Sequence, residues 1–293
     1  MLQKSLTTHA DTIIYDLEDS VAPSEKDKSA ARERLSSFLL STRPSELPRS
    51  ARIAVRLNDI TTPFFERDLV AAVRGIFVPV LPKVHSVDYL ARVASVIGSY
   101  GGGPPDGPIE LVISVESARS LWNVGSLAGW RDSGNKIAAS ALLFAAEDYC
   151  ADTSIVRTFT RQELLYTRSQ IVVAAKAFGL EAIDMVCVNY KDTAYLREEC
   201  EDGRRLGFTG KQAIHPAQVD IIHETFVPTE KEIYRAAKIV HQMEQTHASE
   251  RGAVGLDLDD GKDGKEMIDA PMLKQAENTL RTARAAGLRI PEF

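Results

Sequence analysis

The sequence predicts an α/β chain folded as a (β/α)8 TIM barrel that lacks its first strand and carries a C-terminal helical extension. Three observations predict it. Short runs rich in Val and Ile recur along the chain without strict alternation, which suits strands buried on both faces of a parallel sheet. Helical patterns lie between these runs, so the chain reads as successive βαβ units. The repeat spacing is roughly 25 to 45 residues, close to the ~30 of a barrel of about 250 residues.

The first strand expected is Asp11–Leu17 (DTIIYDL). A helix follows at Ser24–Leu40, with Ser24 as its N-cap and acidic residues in its first turn. The next strands are Arg52–Leu57 (RIAVRL) and Ile76–Leu81 (IFVPVL), then a helix at Ser86–Ile97. Gly101–Pro108 (GGGPPDGP) is a surface loop. Strands at Ile109–Val115 (IELVISV) and Ala138–Phe144 (AASALLF) precede a long helix at Thr160–Phe178, which Gly179 stops. Ile183–Val188 (IDMVCV) and Thr209–Ile214 (TGKQAI) complete seven strands where a barrel needs eight. Past about Val227 the pattern changes. An amphipathic helix at Pro228–Gln245, capped by Thr229, a polar Gly/Asp-rich loop at Ser249–Glu266 and a helix at Ala270–Ala286 make up the extension. The expected division is a barrel over residues 1–227 and a lid or oligomerisation extension over 228–293.

Among 293 residues, 41 acidic against 35 basic side chains give a formal net charge of -6. Such a chain has no bulk attraction for nucleic acid or an anionic membrane surface. A few placed arginines can still hold a local polyanion. No apolar run reaches the ~18–20 residues of a membrane span, and the opening MLQKSLTTHADTIIYDLEDSV has no signal-peptide core. The odd cysteine count (Cys150, Cys187, Cys200) fits no zinc or redox spacing and reads as reduced thiols. An intracellular location follows as the expectation, in cytoplasm or mitochondrial matrix.

Barrel enzymes keep their chemistry at the C-terminal ends of the strands. The polar residues there are Asp16, Glu18 and Asp19 (YDLEDS), Arg56 and Asn58 (VRLN), Lys83 (LPKV), Glu116 (VISVES), Glu147 and Asp148 (LFAAEDY) and Asn189 (VCVNY). Glu116 and Asp148, on neighbouring strands, are the candidate ligands of a hard cation. Magnesium takes one or two carboxylates and completes its octahedron with water and substrate oxygens. Any one of these carboxylates could instead cap a helix or pair with a lysine; the ring of acidic and basic groups around one mouth favours a site. Arg56 could equally bridge to Asp16 or Glu18 and hold the rim. Its planar fork also suits carboxylate and enolate oxygens, and Lys83 could act similarly with less specificity. His215, in AIHP, reads as structural. No Ser/His/Asp order, P-loop or GxGxxG is present.

These motifs occur in a recognisable order: DTIIYDLEDSV, RIAVRLND, VPVLPKV, ISVES, LFAAEDY, GLEAIDMV, TGKQAIHPAQV and MIDAPMLKQAE. From about Asp11 to Ala286 the chain resembles the citrate lyase β-subunit-like proteins of the HpcH/HpaI aldolase superfamily, with their citryl-, malyl- and citramalyl-CoA lyase relatives. The resemblance implies a magnesium-dependent lyase that cleaves or forms a C–C bond beside a CoA thioester, through an acetyl-CoA enolate. It implies Glu116 and Asp148 as metal ligands and Arg56 as the group that contacts substrate and stabilises the enolate. Asn58, Asp19 and Lys83 join Arg56 in the expected substrate pocket. Asp269, in M-I-D-x-P, resembles an acid/base supplied by an adjacent subunit, so a homotrimer is expected. The chain departs from the family pattern in three places. The R-S-x-L-Y-V-P-G strand is lacking, Ala145 stands where glycine usually precedes the E-D pair, and Leu256–Lys265 forms an acidic insertion. Rival readings are a synthase or thioesterase on the same site, a CoA-free 2-keto acid aldolase, and an inactive paralogue.

Overall fold

The computed structural model describes residues 2–42, 52–75, 77–100, 107–134, 136–247, 254–257 and 265–293. By internal contacts the chain divides into two units, Met1–Ile222 and His223–Phe293. The sequence expectation sets this boundary at 227/228.

In the first unit the strands are β1 Ile13–Asp16, β2 Ile53–Arg56, β3 Val78–Leu81, β4 Ile109–Val115, β5 Ile137–Phe144, β6 Glu181–Asp184 and β7 Gly210–Lys211. They form one sheet in chain order, each strand parallel to the next. A doubly wound sheet would reverse its order at a switch point; this one never does. The progression is that of a (β/α)8 barrel, open between β7 and β1 among the described residues. Helices α1 Leu2–Ser5, α2 Glu25–Ser41, α3 Phe65–Arg74, α4 Val87–Tyr100, α5 Ala118–Trp122, α6 Val124–Ala128, α7 Ala146–Thr153, α8 Leu165–Phe178, α9 Thr193–Leu206 and α10 Val219–Phe226 accompany the strands. The unit boundary falls within α10.

Local chemistry explains most boundaries. Ser24 caps α2 by accepting from the Asp27 N–H, and Asp192 caps α9 by accepting from that of Tyr195. Gly179 ends α8 at φ 71°, a left-handed conformation that costs a residue without Cβ little. β4 and β5 are buried along nearly their whole length, as strands covered on both faces must be. Ala54, Val80, Val112, Ala141 and Leu143 form a buried cluster contributed by β2 to β5. Side chains two apart along a strand share a face. Arg56 therefore follows Ala54, and Ser114 and Glu116 follow Val112, up one side of the sheet to the strands' C-terminal ends.

Three expectations require correction. The sixth strand pairs at Glu181–Asp184 rather than Ile183–Val188, because the chain enters it directly from Gly179 and Leu180. Met185 and Cys187 are fully buried beyond the ladder, so the apolar run there reports burial and not pairing. The seventh strand is only Gly210–Lys211. In the second unit, α11 Glu230–His247 and α12 Ala270–Ala285 flank an antiparallel pair, β8 Val254–Asp257 and β9 Lys265–Ile268, where a plain loop is expected. Residues 258–264 of the acidic insertion, and 101–106 of the glycine-rich loop, lie outside the described residues. This unit has a core of its own, from Ile233, Ala237 and Met243 on α11 to Ile268, Leu280 and Ala283.

Candidate active site at the strand ends

The site begins with the parallel register that sets Asp16, the last residue of β1, beside Arg56, the last of β2. Arg56 Nε donates to Asp16 Oδ1 at 2.8 Å and Nη2 to Oδ2 at 2.6 Å, a two-pronged pairing. Arg56 Nη1 lies 3.2 Å from Glu18 Oε2 and 3.2 Å from Asp19 Oδ2. One guanidinium thus faces three carboxylates. Burial alone would raise the Asp16 carboxyl; the Arg56 and Ser20 hydrogen bonds, the guanidinium charge and the Glu18 N–H bring it down to about 2.

Lys83 joins this rim to β4. It sits just beyond β3 at φ 53°, an uncommon conformation for a residue with a Cβ. Its N–H donates to Glu116 Oε1 at 2.8 Å, and its Nζ lies 3.0 Å from Glu18 Oε1. Ser114 Oγ donates to Glu116 Oε2 at 2.6 Å. Glu116 is 5% exposed. Burial pushes its carboxyl up to about 7, against the pull of Ser114 and Lys83; the Asp148 and Glu18 charges push the same way. Glu18 is also raised, chiefly by burial, with Lys83 and Arg56 opposing.

Asp148 lies in the first turn of α7, reached through Ala145, whose N–H donates to Val115 O at 3.1 Å just before Glu116. Ala145 has φ -94°, so no glycine is required at that turn. The Asp148 charge acts on the Glu116 carboxyl across this junction.

The donor set suits a hard divalent cation. It is all oxygen, and it holds a buried carboxyl that lacks a full counter-charge. Two carboxylates, Glu116 and Asp148, are what magnesium takes from a protein. Among the described residues no cluster of three or more His, Cys, Asp or Glu has metal-binding geometry. An ion held by two carboxylates alone would complete its shell with water and substrate oxygens.

Asp16, Glu18, Asp19, Arg56, Lys83 and Glu116 form one connected network. Asp148 is linked to it only by its charge acting on Glu116, and three other expected members stand apart. Asn58 is 4% exposed, and its amide donates to Leu17 O at 2.8 Å and to Asp68 Oδ2. It ties the β1 and β2 exits together from below. Glu147 pairs with Arg157. Asn189 is exposed, and its carbonyl accepts from the Asp192 N–H. In the second unit, Asp269 caps α12, with Oδ1 accepting from Met272 N–H at 3.1 Å. His215 caps the turn Pro216–Gln218 and stacks on Tyr190 at 4.9 Å, a structural role.

Sequence reasoning passed over Ser114, although a hydroxyl two residues before Glu116 in an otherwise apolar strand was the signal. It also passed over Lys28, whose buried ammonium donates to Leu17 O at 2.8 Å and Glu18 O at 2.7 Å. Nothing local distinguishes that lysine from its solvated neighbours on α2.

The profile of the family described as HpcH/HpaI aldolase/citrate lyase matches residues 1–216. The chain is 33% identical over 279 residues to citrate lyase subunit beta of Leuconostoc mesenteroides, covering 94% of this chain and 86% of that protein. It is 30% identical over 296 residues to the mitochondrial citramalyl-CoA lyase of Homo sapiens, covering 96% and 81%. Among solved structures, CitE of Mycobacterium tuberculosis in complex with magnesium, acetoacetate and coenzyme A matches with TM-score 0.70 and 29% identity, over 94% of this chain and 90% of that one.

Proposed function

The chain belongs to the HpcH/HpaI aldolase/citrate lyase family, and from that premise we propose that it splits or joins a C–C bond beside a CoA thioester at the β1–β5 rim. It is a carbon–carbon lyase with magnesium as its cofactor. The substrate class proposed is a citryl-, malyl- or citramalyl-CoA-like 3-hydroxyacyl thioester. The observation that carries this reading is the buried Glu116 carboxyl, on which the Asp148 charge acts, joined through Lys83 and Glu18 to an arginine that already binds carboxylates.

Cleavage breaks the bond between the hydroxyl-bearing carbon and the carbon next to the thioester. The hydroxyl loses its proton and becomes a carbonyl. The bonding pair passes to the thioester, and the resulting enolate takes a proton to become the methyl group of acetyl-CoA. Glu116 and Asp148 would hold the magnesium ion, which would supply Lewis-acid polarisation of the substrate there. Arg56 meets the enolate oxygen. Asp16 fixes its Nε and Nη2, while Nη1 is shared between the buried Glu18 and Asp19, whose side chain is 64% exposed and lies at the mouth. An oriented donor of this kind is worth about 3 kcal/mol in the transition state. Lys83 and Asp19 line the entry for the substrate carboxylate, and Asn58 keeps the β1 exit in place beneath them. Asp269 accepts the proton that leaves the hydroxyl and delivers it to the enolate carbon that becomes the methyl group, reaching the site of a neighbouring subunit in a homotrimer. Its α12 cap occupies one carboxylate oxygen, and proton transfer needs only the other.

The test is turnover of citryl-, malyl-, methylmalyl- and citramalyl-CoA followed by mass spectrometry, with magnesium and with a chelator. One ester should yield acetyl-CoA (propionyl-CoA in the case of methylmalyl-CoA) and a 2-oxo acid only when magnesium is present. Free CoA without a keto acid would identify a thioesterase instead.

A further inference from the structure

Arg157 is not needed by the reading above, yet its contacts lead into the cation site. We infer that Arg157 is a positioning residue that sets Asp148, and through it cation affinity, by clamping the first turn of α7. The inference rests on the proposed Glu116–Asp148 cation site.

Asp148 is only as well placed as the turn that carries it, and that turn has no side-chain cap at its start, Ala145. Glu147, the neighbour of Asp148, is instead held by the Arg157 guanidinium Nη1. Arg157 is well anchored for such a clamp. Its Nη2 donates to Val186 O at 3.1 Å and lies 2.5 Å from Glu199 Oε1. Glu199 is fully buried, and its other oxygen lies 3.2 Å from Lys211 Nζ at the end of β7. Lys211 in turn donates to Met185 O at 2.6 Å. The chain Glu147–Arg157–Glu199–Lys211 therefore ties the turn bearing Asp148 to the ends of β6 and β7. Burial would lower the Arg157 guanidinium, but Glu199 and Glu147 hold it firmly charged. The backbone between α7 and Arg157 folds back through Ser154 at φ 59°, which returns Arg157 to its own helix.

The sign of the effect separates this role from the alternatives. Removing a positive charge near a cation site strengthens cation binding by electrostatics alone. Loosening the ligand that a clamp positions weakens it. A purely structural arginine lowers the melting temperature and leaves cation affinity unchanged.

The experiment is calorimetric titration of magnesium into the full chain, with thermal melting alongside, for wild type, Arg157→Met, Arg157→Lys, Asp148→Asn and the Arg157→Met/Asp148→Asn double variant. Arg157→Met should weaken magnesium binding about ten-fold, the range of supporting residues around metal ligands. Arg157→Lys keeps the charge without the fork and should fall between it and wild type. In the Asp148→Asn background the Arg157 change should add no further loss, since its effect passes through Asp148. Unchanged or tighter binding in Arg157→Met, or an equal added loss in the Asp148→Asn background, would overturn the inference. If Arg157→Met fails to fold, wild-type affinity in Arg157→Lys would overturn it equally. Wild type that binds no magnesium would instead overturn the cation site itself.

Discussion

At the residue scale the account turns on Glu116. Its folded carboxyl stands at about 7 because it is buried, above the ordinary value of 4.5. A raised acid favours the protonated folded form. Its contribution to stability is therefore complete below pH ~4.5 and is lost as pH rises through about 7. The loss is on the order of 3 kcal/mol. Melting temperature measured without divalent cation should fall between pH 5 and 8 by several degrees more in wild type than in Glu116→Gln. Magnesium, which competes with that proton, should reverse the fall; a wild-type profile parallel to that of Glu116→Gln would mean Glu116 titrates normally. Arg56 gives a second prediction. Arg56→Lys keeps the charge but cannot reproduce the paired bonds to Asp16 with a third contact at the mouth. We expect kcat to drop about 100-fold or more while the chain stays folded; an unchanged kcat would remove Arg56 from the chemistry. Both residues were legible in the sequence because each directly follows an apolar strand run. Asn58 was legible only as a position, because whether a strand-end amide faces the mouth or the core depends on Asp68 ten residues away.

At the element scale, β1–α2 shows what supports the rim. Lys28 on α2 ties down the carbonyls of Leu17 and Glu18, in the loop that carries Glu18 and Asp19 to Arg56. Lys28→Met should remove a charged donor from each carbonyl, leaving Asn58 on Leu17 O and the Val21 N–H on Glu18 O, and cost about 1 kcal/mol, read as a lower denaturation midpoint. It should also weaken catalysis through the loosened loop; a midpoint equal to wild type would show the carbonyls finding other donors. Most helix ends were legible, although α8 starts at Leu165, five residues after the expected Thr160. Ser24, Gly179 and the strands β1 to β5 lie within two residues of where cap chemistry and apolar runs put them. β6 and the β8–β9 pair were not. Apolar content at Met185–Cys187 cannot distinguish a paired strand from a buried loop, and a hairpin among Gly and Asp residues leaves no alternation to read.

At the scale of the whole molecule, seven parallel strands in chain order place the charged strand ends around one mouth. That topology was legible from the spacing of the runs, which gave seven strands as the described residues do. What lies between residues far apart in sequence was not: nothing in the sequence joins Glu199 to Lys211 of the expected seventh strand, yet they form a buried pair. Assembly makes the fourth prediction. If Asp269 completes a neighbour's site, mixing two inactive proteins, Glu116→Ala and Asp269→Asn, and allowing subunits to exchange should restore part of the activity, because some mixed interfaces regain both groups. No recovery despite verified exchange would confine Asp269 to its role as the α12 cap. The central claim, a magnesium ion held by Glu116 and Asp148, is tested most directly by calorimetric magnesium titration at pH 8 of wild type, Glu116→Gln and Asp148→Asn. The account predicts one ion per wild-type chain and loss of measurable binding in Glu116→Gln; wild-type affinity in both variants would contradict it.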